Sequence, residues 1–228
     1  MIGEKDMLTY EDVLKDEEIS NLINTADKQL IALGYTEHGY RHLGIASRIA
    51  GEILTEFGYP ERTIELAKIA GYMHDIGNAV NRDDHAHTGA LLAYSLLTKK
   101  GMSYEDAAEI MMAIGNHDER TGSPVSPITA ALIIADKSDV HRTRVREGSG
   151  TDNSRFDIHD RVNYAVEDAN ILIDKENKKV ILQLKIDTQI CPVIKYFEIF
   201  LDRMLMSKKA AHYLGIWFGL EINGATLL

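Results

Sequence analysis

The sequence has little that would anchor or clamp it. Cys191 is its only cysteine in 228 residues, so no internal disulfide can form. No stretch approaches the roughly 18 consecutive apolar residues of a membrane span. The best candidate, Ala130-Ala131-Leu132-Ile133-Ile134-Ala135, is far too short. The N-terminus runs Met1-Ile2-Gly3-Glu4-Lys5-Asp6-Met7 and stays charged through Glu18, without the basic-then-apolar shape of a secretory signal. These absences predict a cytoplasmic protein. Positive charge is also scarce: 25 Lys and Arg stand against 35 Asp and Glu, a net charge of −10. An acidic surface repels a phosphate backbone, which argues against duplex nucleic acid as a partner. There is no internal repeat and no low-complexity segment. What remains is a core: 45% of the residues are apolar, enough for one large domain or one domain with a small appendage.

Helical periodicity dominates the first two-thirds. Asp16 can cap a helix with apolar positions Ile19, Leu22, Ile23, Ala26 and Leu30 that stops at Gly34. Further helices are predicted over about residues 40–58, from Pro60 to near Gly77, and over 88–99 with Gly101 as the stop. Ser103 and Asp106 resemble a capping box for a fifth, and Ser126-Pro127 opens a sixth, apolar to Ala135 and therefore buried. Residues 147–154 read as a mobile Gly/Ser/Asp-rich loop, followed by a short helix near 160–168. Residues 170–174 and 180–187 are β-rich, and Leu182, Leu184 and Ile186 alternate with polar neighbours as on a strand with one buried face. Pro192 starts a last long helix, and residues 217–222 can add a third strand. The expected fold is mainly α, with a small C-terminal antiparallel sheet and a long C-terminal helix.

Chemistry concentrates in residues on or beside separate helices, mostly at their ends: His42, the pair His74-Asp75, His87, His117 and Asp136. Ends of packed helices can converge on one pocket, which is how bundles build metal sites. Asp136 follows a six-residue apolar run, so its carboxylate is expected to be partly buried and to need a cation, donors or a metal. His with Asp in apolar flanks suits a hard or borderline ion, and the lack of thiolates disfavours structural zinc. Lys137, Arg142, Arg144 and Arg146 form a local basic patch on an acidic protein, which suggests a small anionic ligand held by bidentate contacts.

The order His42, His74-Asp75, Asp136 resembles the H…HD…D signature of the HD superfamily of phosphohydrolases. The flanks agree: His42-Leu43-Gly44-Ile45-Ala46, Ala70-Gly71-Tyr72-Met73-His74-Asp75-Ile76-Gly77 and Ile133-Ile134-Ala135-Asp136-Lys137 are each similar to a family motif. The resemblance covers about residues 38–146. It implies a helical metal-binding domain over 1–148 and an α+β extension over 149–228 packed on the same domain. His87-Thr88-Gly89-Ala90 and the stretch ending Asn116-His117 resemble those that supply a third and fourth histidine in two-metal members. By that resemblance one ion takes His42, His74, Asp75 and Asp136, and the other takes Asp75, His87 and His117, with Asp75 the bridging catalytic residue. Fe, Mn, Co, Ni, Zn and Mg are all compatible. The chain departs from the pattern at Asn78, where many relatives have Lys, and at Asn116, where many have a second His. The Gly-Tyr-Pro triplet of the cyclic-dinucleotide-cleaving branch is missing. His38 is read as a surface residue with a ligand role as the alternative, and His85 stays open between the same two. His141, His159 and His212 are read as ordinary surface histidines.

The function this implies is hydrolysis of a phosphate ester of a nucleotide or other small phosphorylated metabolite. Two alternatives stand beside it: a di-iron oxygenase on the same fold, and a metal-binding regulatory module without turnover. The expected partner is a small phosphorylated substrate, with no membrane. The C-terminal segment is read as either a cap over the site or a homodimer contact.

Overall fold

A computed structural model describes residues 7–146 and 158–227. The loop expected over 147–154 lies outside the described residues. Helix α1 (Tyr10–Leu14) was not legible as a helix, yet it carries a capping box in which Thr9 and Asp12 satisfy each other's backbone donors. In α2 (Glu17–Ala32) the Asp16 carboxylate accepts the Ile19 N–H, and Ile19, Ile23, Ala26 and Leu30 are buried at the spacing of one helical face. Helices α3 (Tyr40–Glu56), α4 (Glu61–Met73), α5 (His85–Lys99) and α6 (Tyr104–Gly115) follow. Next comes α7 (Pro127–Ser138), which Ser126 caps and in which every residue from Ile128 to Ser138 is buried. A helix apolar all round belongs in the middle of a bundle, and α3, α4, α6 and α9 all pack on α7.

The second half of the chain joins the same core. Short helix α8 (Ile158–Ala165) runs directly into β1 (Val166–Asp174), which pairs antiparallel with β2 (Lys179–Ile186). Val180, Leu182, Leu184 and Ile186 point inward, as the alternation predicts. Helix α9 (Val193–Tyr213) lies against α7 and delivers β3 (Trp217–Ile222). Here the expected antiparallel sheet is corrected: β3 pairs with β2 in parallel, and only the two-residue β4 (Ala225–Thr226) returns antiparallel. The cause is the connection. A 21-residue helix carries the chain back to the end of the sheet it left, which is a crossover and not a hairpin. Ile133 of the bundle, Leu182 and Leu220 of the sheet and Phe200 of α9 belong to one continuous buried cluster. No described helix is long and apolar enough to cross a membrane.

Two close approaches fix where the helix ends fall. A Cβ on Gly71 of α4 would lie 2.6 Å from the Ser47 Cα, so α3 and α4 cross there almost backbone on backbone. After α4 the chain makes a 3₁₀ turn, Ile76–Ala79. A Cβ on Gly77 in that turn would lie 1.9 Å from the His85 carbonyl oxygen, so the turn is pressed onto the start of α5. Helix α5 itself begins three residues before the expected position 88, because Asp84 adopts a left-handed conformation, φ 58°, and turns the chain into the helix early. Gly71→Ala should therefore destabilise the protein by roughly 1–3 kcal/mol through overpacking of the crossing. Gly44→Ala is the control. No neighbouring atom meets its Cβ, and a helical Gly→Ala change should be neutral or stabilising by up to about 1 kcal/mol. Chemical denaturation of the two variants checks this, and equal stabilities would refute the close crossing.

Candidate metal centre

The crossing at Gly71 brings His42, in the first turn of α3, against His74 at the end of α4. Asp75 follows directly, and Asp136 reaches in from the last turn of α7. All four are buried. Each histidine has its Nδ1 occupied: His42 on the Asp139 carboxylate at 2.7 Å, His74 on the Gly71 carbonyl at 2.8 Å. An acceptor at Nδ1 fixes the proton there and leaves the Nε2 lone pair facing inward. The two Nε2 atoms stand 3.2 Å apart. Asp75 Oδ2 lies 3.7 and 3.3 Å from them, and Asp136 Oδ1 3.3 and 3.6 Å. Four acceptors thus face one another in a buried space. Their spacing is that of ligand atoms around one ion, since the edge of a tetrahedron about a metal at ~2.1 Å is roughly 3.4 Å. The donor set therefore fits a divalent cation.

Beside this group lies a second. Asp75 Oδ1, the other oxygen of the same carboxylate, is 3.4 Å from His85 Nε2. His117 completes it, with its ring 4.9 Å from that of His74 and 5.2 Å from that of His85. One ligand atom each from His74, Asp75 and His117 lies within 4.8 Å of the others. The same device sets the tautomers: His117 Nδ1 is bound to the Ile114 carbonyl at 2.6 Å and His85 Nδ1 to the Arg82 carbonyl at 3.1 Å. His38, at 8% exposure, is not a surface residue. Its Nδ1 binds the Thr36 carbonyl at 2.7 Å, and its ring lies 5.4 Å from that of His42.

The charges follow from this packing. Burial alone would strip a proton from His74, but Asp75 and Asp136 beside it push its pKa up to about 10. A proton there stands in for a cation. Burial lowers His117 to about 3, with His74 and His85 adding to the effect. Burial opposes ionisation of Asp75 and Asp136, yet His74 holds the first and Lys137 the second well below the usual carboxylate range.

A supporting layer surrounds the ligand atoms. Asp139 accepts from both Arg41 terminal nitrogens at 3.1 and 2.9 Å as well as from His42. Asn78 donates to Asp75 Oδ1 at 2.9 Å. It orients the carboxylate but brings no charge. The charge comes from Arg82, four residues on, whose Nη1 lies 3.2 Å from Asn78 Oδ1 and 3.9 Å from Asp75 Oδ1. Lys137 is buried between Asp136 at 2.7 Å and Glu119 at 2.6 Å, and Arg203 of α9 reaches Glu119 at 3.3 Å.

Of the residues singled out from sequence, the structure brings together His42, His74, Asp75, His117, Asp136, Lys137 and Arg144. His87 is corrected. Its side chain is half exposed on the outer face of α5, 3.8 Å from Asp84, and His85 faces Asp75 instead. Residues two apart on a helix are about 200° apart around it, so only one can face the centre, and the early start of α5 selects His85. Arg142 and Arg146 are corrected as well. Arg142 lies over the Tyr164 ring and 3.6 Å from Glu167, and Arg146 pairs with Asp27 at 2.6 Å. Arg82, Asp118, Glu119, Asp139 and Arg203 were missed. Asp139 had a signal, three residues after Asp136 on the same helix end, as Arg82 had in its four-residue spacing from Asn78. Arg203 had none.

Residues 35–143 match the family model described as HD domain. Over 162 residues the chain is 26% identical to uncharacterized protein MJ1020 of Methanocaldococcus jannaschii, covering 61% of this chain and 62% of that one. Over 108 residues it is 36% identical to Ribonuclease Y of Lawsonia intracellularis, covering 46% of this chain and 18% of that protein. The chain thus spans about three-fifths of the first relative and under a fifth of the second. A crystal structure of a predicted HD superfamily hydrolase from an uncultured Thermotogales bacterium is 30% identical, with a TM-score of 0.44 over 54% of this chain and 67% of that one. The matched stretch contains the whole constellation from His38 to Asp139, and by that match the chain belongs to the HD superfamily.

Proposed function

We propose that the protein is a divalent-metal-dependent phosphohydrolase acting on a nucleotide or another small phosphorylated metabolite. One observation carries the reading: four histidines with Nδ1 tied to protein acceptors turn their Nε2 lone pairs toward the buried carboxylates of Asp75 and Asp136. His42, His74, Asp75 and Asp136 would hold one ion, and Asp75, His85 and His117 a second. Ions bound there would supply Lewis acidity and lower the pKa of water.

The chain's own residues handle the substrate. The cavity beside the cluster is lined by Arg82, Lys137, Arg144 and Arg203 against Asp75, Asp118, Glu119 and Asp136. Its volume is only about 10 Å³, room for one water-sized occupant. A phosphorylated ester must therefore be received at the rim. Arg82 and Arg203 stand there, each with about a fifth of its side chain exposed. Lys137 keeps its ammonium: burial pulls its pKa down, but Asp136 and Glu119 hold it above the usual value. Arg144 is buried, donates to the Asp139 and Glu37 carbonyls, and keeps an Nε with no partner among the described residues. These groups fix phosphoryl oxygens and offset the charge that develops on them.

Phosphate release from a panel of nucleotides and sugar phosphates, with Mn²⁺, Co²⁺ or Ni²⁺ supplied, tests the reading. Release from at least one substrate, abolished in Asp75→Ala, is expected. A silent panel with metal-loaded protein, or O₂ consumption by the iron-loaded form, would reject it. Arg82→Ala should raise KM by roughly tenfold, the loss of one charge-assisted contact, while Arg142→Ala stays near wild type.

Metal content separates the two histidines of α5. His85→Ala should drop the metal held per chain from about two to about one, and His87→Ala should leave it unchanged. Elemental analysis after purification without chelator decides, and the reverse result would restore His87 as the ligand. Metal binding should also release protons. A pKa of about 10 keeps His74 protonated at pH 8 in the metal-free protein, and its lone pair must be freed for a cation. Calorimetric titration with Zn²⁺ in buffers of different ionisation enthalpy should count about one proton released per chain. The raised pKa also stabilises the metal-free fold below the unfolded value near 6.5 and loses that contribution as pH climbs through 10. Zero proton release would refute the assignment of the His74 charge.

A further inference from the structure

A second concave site lies on the far side of α9 from the metal cluster. Arg203 points toward Glu119, and Leu205, two residues on, faces about 200° away. There Leu205, Ile216, Trp217 and Phe218 line a cavity of about 610 Å³, within the range of small-ligand pockets. Its lining is mostly apolar, yet Trp217 is 69% exposed and Leu205 47%. Aromatic surface left in water at the mouth of an apolar hollow is costly unless something covers it.

The rim is cationic. Lys208, Lys209 and His212, from the last two turns of α9, border the cavity. None of the three side chains has a hydrogen bond or ion pair among the described residues, whereas those of Lys99, Lys100 and Lys195 do pair. Two free ammonium groups at one hollow are conspicuous on a chain of net charge −10. Their position near the helix C-terminus offers some compensation from the helix dipole, but that accounts for the charges alone and not for the exposed indole beside them.

We propose that this cavity binds an amphiphilic anion, a soluble molecule with an apolar body and one carboxylate or phosphate head. The body lies on Leu205, Ile216, Trp217 and Phe218, and the head meets Lys208 and Lys209. Complementarity selects this occupant. A neutral apolar ligand leaves the lysines unused, and a small polar anion leaves the indole uncovered. The site is separate from the metal cluster and stands whether or not the phosphohydrolase reading does.

Trp217 is the chain's only tryptophan, so its fluorescence reports this cavity directly. Decanoate, kept monomeric, should shift the emission saturably, while acetate should have no effect and decanol should bind roughly tenfold more weakly. The double variant Lys208→Glu/Lys209→Glu should weaken decanoate by roughly tenfold or more, since two partly screened ion pairs are lost and reversed. Leu205→Asp should abolish the shift with its circular dichroism unchanged. All three altered residues are exposed, so folding is not at stake. Three results would each overturn the proposal: no saturable shift, equal affinity for decanol, or unaltered affinity in the charge-reversed variant. A ligand-free emission shift that tracks self-association in sedimentation would assign the face to a second copy instead.

Discussion

Four proton acceptors, His42 Nε2, His74 Nε2, Asp75 Oδ2 and Asp136 Oδ1, converge in a space closed to solvent. Left to themselves they repel, and the fold is arranged to make them stay. The close crossing at Gly71 sets His42 against His74, and the buried length of α7 drives Asp136 to the same point. Each imidazole is locked by a hydrogen bond on its outer nitrogen, and Asp139 is locked in turn by Arg41. A cluster so constrained cannot relax by turning a ring away. It can only take up positive charge, from a proton on His74 or from a metal ion. That demand links packing to chemistry here, because the helices that form the core also fix the atoms that require a cation.

Much of this was legible in sequence because it rests on local signals. Asp16, Ser103 and Ser126 announce helix starts, the apolar run before Asp136 announces burial, and the triplet of motifs announces four of the side chains that converge. The failures have physical causes too. The phase of α5 was lost to a single left-handed residue, Asp84, and a shift of three residues at its start exchanged His85 for His87. The sheet was read as antiparallel because strand patterns carry no direction, and direction is decided by the long α9 crossover. Arg142 and Arg146 looked like part of an anion patch from proximity in sequence, but the 3₁₀ turn over Arg142–Arg144 points only Arg144 inward. Arg203 was invisible for the opposite reason, lying 128 residues beyond Asp75 with no local mark of its partner.

Orientation and charge at the Asp75 carboxylate come from different residues. Asn78 donates to it and holds it in place, while Arg82, four residues on, brings the positive charge. A planar guanidinium reaching in from a partly exposed position presents its donors as a fixed fork, where a lysine would present a point charge.

The parallel pairing of β2 with β3 has a bearing on how the molecule comes together. Val180 and Phe218 sit side by side, although the chain between them includes the whole of α9. Helical hairpins such as α3–α4 and α5–α6 close short loops and can form early, whereas this strand pair must wait for a long loop to close. Arg203 rides on the intervening helix, so its contact with Glu119 belongs to the same long closure, and one corner of the cluster's charge balance depends on the most distant strand pairing in the sheet.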